Sequence, residues 1–250
     1  MEITRKGESS SKNIVTLQLW RKSGSCSKGT IPVRRVQKKD QLHSPSMKEY
    51  GRKKLPRFSP LFKHLDDDDD YSSLTSQENH SLAVLQVEAS SYSGAQGTIK
   101  SFFTVDDKVY PFRVNLSLYG DKQTRLFTYW TANSSNISSG YFDLTCSGFV
   151  QTNSETALAA ALYPISVPRR AAHDIDIRIF KDPDTGNWWV IFQEKISLGY
   201  WPADLFALLK NQAGLVFWGG DVNSPNVSDR HPHTATEMGC GYLPPPWTDY

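Results

Sequence analysis

Residues 174–194 read DIDIRIFKDPDTGNWWVIFQE, and this stretch decides the fold. In its first part, Ile175, Ile177 and Ile179 alternate with polar side chains. A period of two residues is typical of a strand with one buried face and one solvated face. The segment DPDTG that follows is rich in turn formers, and the run NWWVIF is again of β type. The stretch therefore predicts an antiparallel hairpin.

Short β-type runs also lie on both sides of this hairpin. We predict further strands at residues 15–20, 81–88, 97–105, 109–119 and 124–131. Residues 157–162 fit either a helix or a buried strand. One helix is predicted at residues 202–212, because Pro202 suits a first turn and Gly214 suits a stop. The sequence thus predicts an all-β fold, an antiparallel β-sandwich of two packed sheets with one short helix, and a closed barrel is the alternative.

Charge divides the chain into two unequal parts. Residues 1–63 contain sixteen Lys and Arg against four Asp and Glu, a net charge of +12, whereas residues 64–250 have a net charge of −10. Asp66 to Asp70 are consecutive carboxylates, which repel one another and are typical of a linker. We predict a poorly structured basic leader at 1–63, an acidic linker at 64–79 and a β domain, the body, at 80–250. The leader is either a cover attracted to the body or a solvated tail.

The sequence contains little that indicates a metal site, a nucleic-acid-binding surface or a membrane-spanning segment. His231, His233 and Cys240 are metal-ligand types, but the proline between the histidines is more typical of a surface turn. The basic clusters at 34–35 and 52–54 lack interleaved aromatic residues, so no nucleic-acid partner is expected. There is no apolar run of about eighteen residues, so no membrane span is expected. No cofactor is expected either.

Sequons favour secretion more than the cysteines do. Five occur, more than the small number of asparagines leads one to expect by chance, at Asn79, Asn115, Asn133, Asn136 and Asn226. The chain begins without the apolar segment of a signal peptide. The three cysteines, Cys26, Cys146 and Cys240, cannot all pair and do not form a recognisable motif. No Gly-x-Ser-x-Gly motif is present, so a serine hydrolase is disfavoured.

Ten motifs in a fixed order resemble one known family. They are LQLWRKSGSCSKGTIPVRR (17–35), YGRKK (50–54), YGD (119–121), RLFTYWT (125–131), CSGFVQ (146–151), KDP (181–183), GNWW (186–189), GYWP (199–202), WGG (218–220) and TATEMG (234–239). Together they resemble the plant neprosins, glutamic endopeptidases with an N-terminal activation peptide. The resemblance implies a sandwich of two antiparallel sheets. It also implies a secreted peptidase that works in acid, cuts beside proline and uses no metal or cofactor.

The resemblance implies two catalytic carboxyl groups, one protonated as the acid and one ionised to activate water. Val109 stands where the first Glu is expected, and Asp221 stands where the second is expected. From residues alone, Asp221 after Gly219 and Gly220 suggests an acid at a strand end, beside a turn. The resemblance also implies a cysteine at position 141 as the disulfide partner of Cys146, but this chain has Tyr141 there.

These departures predict little or no peptidase activity. Aspartate is one methylene shorter than glutamate, so the Asp221 carboxyl would sit back by about 1 Å, and such a displacement can cost about a hundredfold in rate. The expected partners are a proline-containing peptide or protein and the chain's own leader as an intramolecular cover. The alternative function is a non-catalytic extracellular β-sandwich module that binds cell-wall glycan or peptide. A truncated product without a stable fold is a third hypothesis.

Overall fold

The computed structural model describes residues 17–37, 46, 50–53, 80–100, 116–121, 123–130, 140–166, 173–207 and 209–223. The strands, in chain order, are β1 (Leu17–Gln18), β2 (Arg52–Lys53), β3 (His80–Tyr92), β4 (Gly94–Lys100), β5 (Tyr129–Trp130), β6 (Gly140–Phe142), β7 (Val150–Gln151), β8 (Leu162–Tyr163), β9 (Asp174–Lys181), β10 (Trp188–Phe192), β11 (Ile196–Trp201) and β12 (Ala213–Asn223). Helical structure among these residues is limited to the four-residue helix α1 (Leu116–Tyr119) and two 3-10 helices, Leu19–Ser23 and Ala203–Leu205. The predicted all-β antiparallel sandwich is confirmed.

The largest sheet has five strands in the order β4-β9-β10-β11-β7, all antiparallel. At its centre is the predicted hairpin, in which Trp188 pairs with Lys181 and Phe192 pairs with Ile177. The backbone N–H of Gly186 donates to the carbonyl of Asp182 at 2.8 Å and closes the turn. The alternation at residues 174–180, the turn formers and the β-type run after them were therefore sufficient to locate both strands of the hairpin.

The main core lies under one face of this sheet. Along β10, Trp188, Val190 and Phe192 are buried while the residues between them are half-buried. Leu198 on β11 is fully buried beside them. The other buried members of this cluster are Leu126, Trp130, Phe149, Leu158, Leu162, Ile175, Trp201 and Phe206. Burying large apolar side chains of this kind supplies the main driving force for folding.

A second sheet is a long ribbon of β3 and β12, paired from Ala213–Tyr92 to Asn223–His80. Two smaller sheets bring the leader into the body. Strand β1 of the leader pairs with β8, and β2 pairs with β6, which in turn pairs with β5. The described part of the leader therefore contributes two short strands to sheets that the body completes.

The helix predicted at residues 202–212 is wrong. Only Ala203–Leu205 is helical, as a 3-10 turn, and Phe206 is already extended with φ −110° and ψ 136°. Phe206 is buried against Trp201, with ring centroids 6.5 Å apart, and Trp188 Nε1 donates to the carbonyl of Leu209 at 2.8 Å. These tertiary contacts override the helical spacing of the apolar residues.

Three predicted strands differ from the structure. Within residues 15–20, the structure describes 17–20, of which Leu17–Gln18 is a strand while Leu19 begins a 3-10 helix. Within residues 109–119, the structure describes only the last four, and they form α1 rather than a strand. Within residues 124–131, only Tyr129–Trp130 is a strand, although Arg125 makes a single bridge to Ala161. Of residues 157–162, Leu162 begins β8, and Ala159 has a left-handed φ of 62° that interrupts any helix.

Candidate functional site

Asp221, the acid at the expected second catalytic position, lies in β12 opposite Leu82 of β3. Gly219 and Gly220 before it are paired in the same ribbon, so the expected strand end with a turn is wrong: the glycines are inside an eleven-residue strand. The structure gives the backbone of Asp221 but does not describe its side chain. Val109, at the first catalytic position, lies outside the described residues.

Trp218 anchors the strand that carries Asp221. Its indole Nε1 donates to the carbonyl of Gln96 on β4 at 3.1 Å, which ties β12 to the five-stranded sheet. The ring lies against Gly97, where an added Cβ would come within 2.6 Å of Trp218 Cδ1. A side chain at position 97 would therefore displace the indole. The Trp-Gly-Gly motif thus has a structural role three residues before the acid.

A cavity of about 390 Å³ lies between β12 and the five-stranded sheet. Its lining includes Trp130, Trp188, Trp201 and Leu215 and, among the described residues, contains no carboxylate, histidine or cysteine. The indole N–H groups of Trp130 and Trp201 are buried and have no hydrogen-bond partner in the described part of the chain. The lining that the structure describes is therefore mainly apolar.

The described residues bring one buried carboxylate into a polar cluster, and it is Asp143. The hydroxyl of Tyr119 donates to its Oδ2 at 2.7 Å, and the backbone N–H of Thr128 donates to its Oδ1 at 2.8 Å. Burial raises the pKa of Asp143 to about 6, although these two hydrogen bonds and nearby arginines act in the opposite direction. Asp143 therefore gains a proton in weak acid while it remains inside the fold.

Two arginines lie on the ring of Tyr119. The Cζ atom of Arg125 is 5.1 Å from the ring centroid, and that of Arg34, in the leader, is 5.3 Å from it. Arg125 also binds Asp121 with both Nη2, at 2.5 Å, and Nε, at 3.3 Å. Burial, followed by the charge of Asp143, raises the pKa of the Tyr119 hydroxyl far above its ordinary range. Tyr119 therefore stays protonated and serves as a hydrogen-bond donor.

The sequence motif YGD at 119–121 correctly drew attention to this region, but Asp143 was missed. Its signal in the sequence is weak: a single acid within the apolar run Tyr141-Phe142-Asp143-Leu144. The backbone φ of Asp143 is +49°, a conformation that Asp and Asn adopt more readily than most residues. Because both carboxylate oxygens already accept hydrogen bonds inside the fold, the cluster is suited to holding structure rather than to attacking a substrate.

The leader binds the body through buried, directional contacts. The Gln18 side chain donates from Nε2 to the carbonyl of Ala157 and accepts from its N–H at Oε1, both at 2.7 Å. The hydroxyl of Tyr50 donates to the carbonyl of Leu118 at 2.9 Å. Gly51 accepts from the N–H of Phe142 at 2.9 Å. Gln18, Tyr50 and Gly51 are buried, so these contacts form part of the interior.

The outer face of the five-stranded sheet has a row of three half-buried aromatic residues. Trp189 on β10 pairs with Phe180 on β9 and with Tyr200 on β11, so all three share one face. The rings of Trp189 and Tyr200 have centroids 4.8 Å apart and are tilted by 41°. The guanidinium of Arg178 lies 4.6 Å above the Phe180 ring. This face therefore combines three half-buried aromatic rings with one guanidinium group.

Within the described part of the chain, no group of His, Cys, Asp and Glu residues is placed to hold a metal ion. His231, His233 and Cys240 lie outside it. Cys26 and Cys146 are both free thiols, and both are half-buried. Tyr141, at the position of the expected disulfide partner, instead packs its ring 5.4 Å from that of Trp130. Among the described residues, no helix has the length and apolarity needed to cross a membrane.

Two family models match the chain. The one described as Neprosin matches residues 77–248, more than half of the sequence. The one described as Neprosin activation peptide matches residues 1–86. The first range contains the central hairpin, the Asp143 cluster and Asp221, and the second contains the leader contacts made by Gln18, Arg34 and Tyr50.

Proposed function

The chain belongs to the neprosin family, and on this premise we propose that it is a neprosin-like peptidase with impaired or absent activity. The reaction that the resemblance implies is hydrolysis of peptide bonds beside proline in acid, and it needs two carboxyl groups. One feature of the sequence carries the proposal: by the resemblance, Val109 stands where the first of these two carboxyl groups is expected. An aliphatic side chain can neither give nor take a proton, so the acid–base pair is incomplete.

The backbone around the second position supports the same conclusion. Asp221 lies in a paired strand, opposite Leu82, and Trp218 ties that strand to β4. The backbone of a regular paired strand has little freedom to move towards a substrate, so it cannot compensate for a side chain that is one methylene shorter. A displacement of about 1 Å is expected to cost about a hundredfold in rate even if another group replaced the first acid.

The test is peptide hydrolysis by the purified full chain. A proline-containing peptide is incubated with the chain between about pH 3 and 5, the range in which one of two close carboxyls can keep its proton. The controls are Asp221→Ala and a sample without protein. We expect no cleavage above the sample without protein. Cleavage by the unmodified chain that disappears in Asp221→Ala would overturn the proposal.

We further propose that the leader covers part of the body, as an activation peptide does in an active relative. The contacts of Gln18 and Tyr50 support this role, because they are buried and lie on the body side of the leader. Secretion is part of the same proposal and is supported by the five sequons. Because this chain begins without the apolar segment of a signal peptide, it is expressed behind an added one in a secretory eukaryotic host, and the mass of the product should fall on enzymatic removal of N-glycans. A product of unmodified mass would contradict the use of these sequons.

A second candidate function is glycan binding without catalysis, and the outer aromatic row favours it. The accessible part of an aromatic ring on a sheet face is a surface on which a sugar ring can stack. Titration with cell-wall oligosaccharides, followed by tryptophan fluorescence, tests it directly. The expected result is saturable binding that is lost in Trp189→Ala and kept in Ile191→Ala, on the same strand. No saturable change with any oligosaccharide would remove this candidate, and saturation only with a proline-rich peptide would favour peptide binding.

A further inference from the structure

Two neighbouring arginines of the leader have different environments. Arg35 is exposed, whereas Arg34 is half-buried and reaches the body. Arg34 Nη2 donates to the carbonyl of Tyr119 at 3.1 Å, and its Nη1 lies 3.4 Å from the hydroxyl of Tyr50. The Cζ atom is 5.3 Å from the centroid of the Tyr119 ring. The contact therefore combines a charged hydrogen bond with a cation–π interaction.

The body side of this contact matches the chemistry of a guanidinium group. It provides the carbonyl of Tyr119 as a hydrogen-bond acceptor and the ring of Tyr119 as an aromatic face. The charge of Arg34 also acts to lower the pKa of the Asp143 carboxyl, which is hydrogen-bonded to the Tyr119 hydroxyl. A guanidinium is planar and presents its donors as a rigid fork, and it stacks on aromatic rings. A lysine ammonium is a strongly hydrated point charge and would satisfy these groups less well.

We propose that the ring and the carbonyl of Tyr119 form a guanidinium-binding site of the body, and that this site holds the leader by recognising Arg34. Its ligand class is the arginine side chain of a peptide segment lying along the body. The inference goes beyond the proposed function, because it concerns binding alone and holds whether or not the chain cleaves peptides.

The alternative explanation is attachment by bulk charge, from +12 on the leader and −10 on the remainder. If bulk charge were the cause, Arg34 and Arg35 would contribute equally to the attachment of the leader. Yet an exposed ion pair such as Arg21–Glu155, at 3.6 Å, contributes little in salt solution. Recognition at a defined site instead predicts that only Arg34 matters, so Arg35 is a matched control.

Hydrogen exchange measured by mass spectrometry on the full chain tests the site. The reporter is the protection of peptides within residues 17–37, and the reference is the β10–β11 region, 188–201. At pH 7 we expect Arg34→Ala to lower leader protection by about tenfold or more, as for loss of a charged hydrogen bond. Arg34→Lys should lose nearly as much, Arg35→Ala should match the unmodified chain, and reference protection should stay constant. Equal losses in Arg34→Ala and Arg35→Ala, or full retention in Arg34→Lys, would overturn the proposal.

Chemical rescue separates a binding site from a general loss of packing. Arg34 lines a cavity of about 730 Å³ between leader and body, together with Arg35 and Arg125, so a small solute in this cavity can reach position 34. In Arg34→Ala, ethylguanidinium should restore leader protection, and ethylammonium at the same concentration should not. Rescue by both ions, or by neither, contradicts a site selective for guanidinium. Because the readout does not involve hydrolysis, failure here is distinct from failure of the proposed function.

Discussion

Asp143→Asn should remove a specific pH dependence from the stability of the fold. In the native protein, burial raises the pKa of Asp143 from its ordinary value of 3.8 to about 6. A carboxyl with a raised pKa binds its proton more tightly in the folded state than in the unfolded state. Its contribution to stability is therefore complete below pH 3.8 and is lost as the pH rises through about 6.

The size of the effect follows from the shift. Each pKa unit corresponds to about 1.4 kcal/mol, so a rise from 3.8 to about 6 corresponds to about 3 kcal/mol. Asparagine has no charge to bury, accepts the Thr128 N–H at its own oxygen, and tolerates the left-handed backbone of this position. The stability of Asp143→Asn relative to the unmodified chain should therefore increase by about 3 kcal/mol between pH 3.5 and pH 7.

The assay is urea unfolding of both chains, followed by tryptophan fluorescence in half-unit pH steps. Subtracting one unfolding free energy from the other cancels the titration of all other groups. The control is Asp182→Asn: its exposed carboxyl accepts from the Thr185 hydroxyl, which lowers the pKa of Asp182, so its pH dependence has the opposite sign. A stability difference between Asp143→Asn and the unmodified chain that stays constant within about 0.5 kcal/mol over this range would refute the burial argument.

Three further substitutions test the packing of the leader and the core. Gly51→Ala should destabilise the chain by about 2 kcal/mol or more, measured by urea unfolding, because its φ is +74° and an added Cβ would collide with the Thr145 side chain. Gln18→Ala leaves the N–H and carbonyl of Ala157 without their buried partner, which should cost about 1–3 kcal/mol and speed hydrogen exchange at that N–H. Leu198→Ala, at a fully buried site, should cost about 2–5 kcal/mol in the same unfolding assay. A loss under about 0.5 kcal/mol for any of the three would contradict the packing described at that position.

The sequence predictions were accurate where a segment's own residues determine its structure. They failed where contacts with residues outside the segment determine it. The strand Asp174–Lys181 was predicted almost residue for residue, because alternation and a five-residue turn are both visible within the segment itself. The helix expected after Pro202 failed because the partner of Phe206 is Trp201 and the partner of the Leu209 carbonyl is Trp188. Spacing within a segment does not reveal such contacts.

In the candidate site, too, the sequence revealed the local motif but not the contacts between distant segments. The motif that contains Tyr119 marked the right region, but the hydrogen-bond partners of the Asp143 carboxylate come from two other stretches of chain, at residues 119 and 128. The leader strands β1 and β2 have two residues each, too few to show any periodicity. Only the folded structure brings these residues together, so neither the buried carboxylate nor the leader contacts could be predicted from patterns in the sequence.

The central claim is that this neprosin-family chain lacks a working carboxyl pair. Its most direct test is the initial rate of cleavage of a proline-containing peptide at about pH 4. At this pH, a carboxyl group whose pKa is raised by a neighbouring carboxylate keeps its proton. The rate is measured for the unmodified chain and for Asp221→Ala under identical conditions. We predict that the two rates are equal and match the sample without protein. A rate for the unmodified chain that clearly exceeds that of Asp221→Ala would contradict the claim.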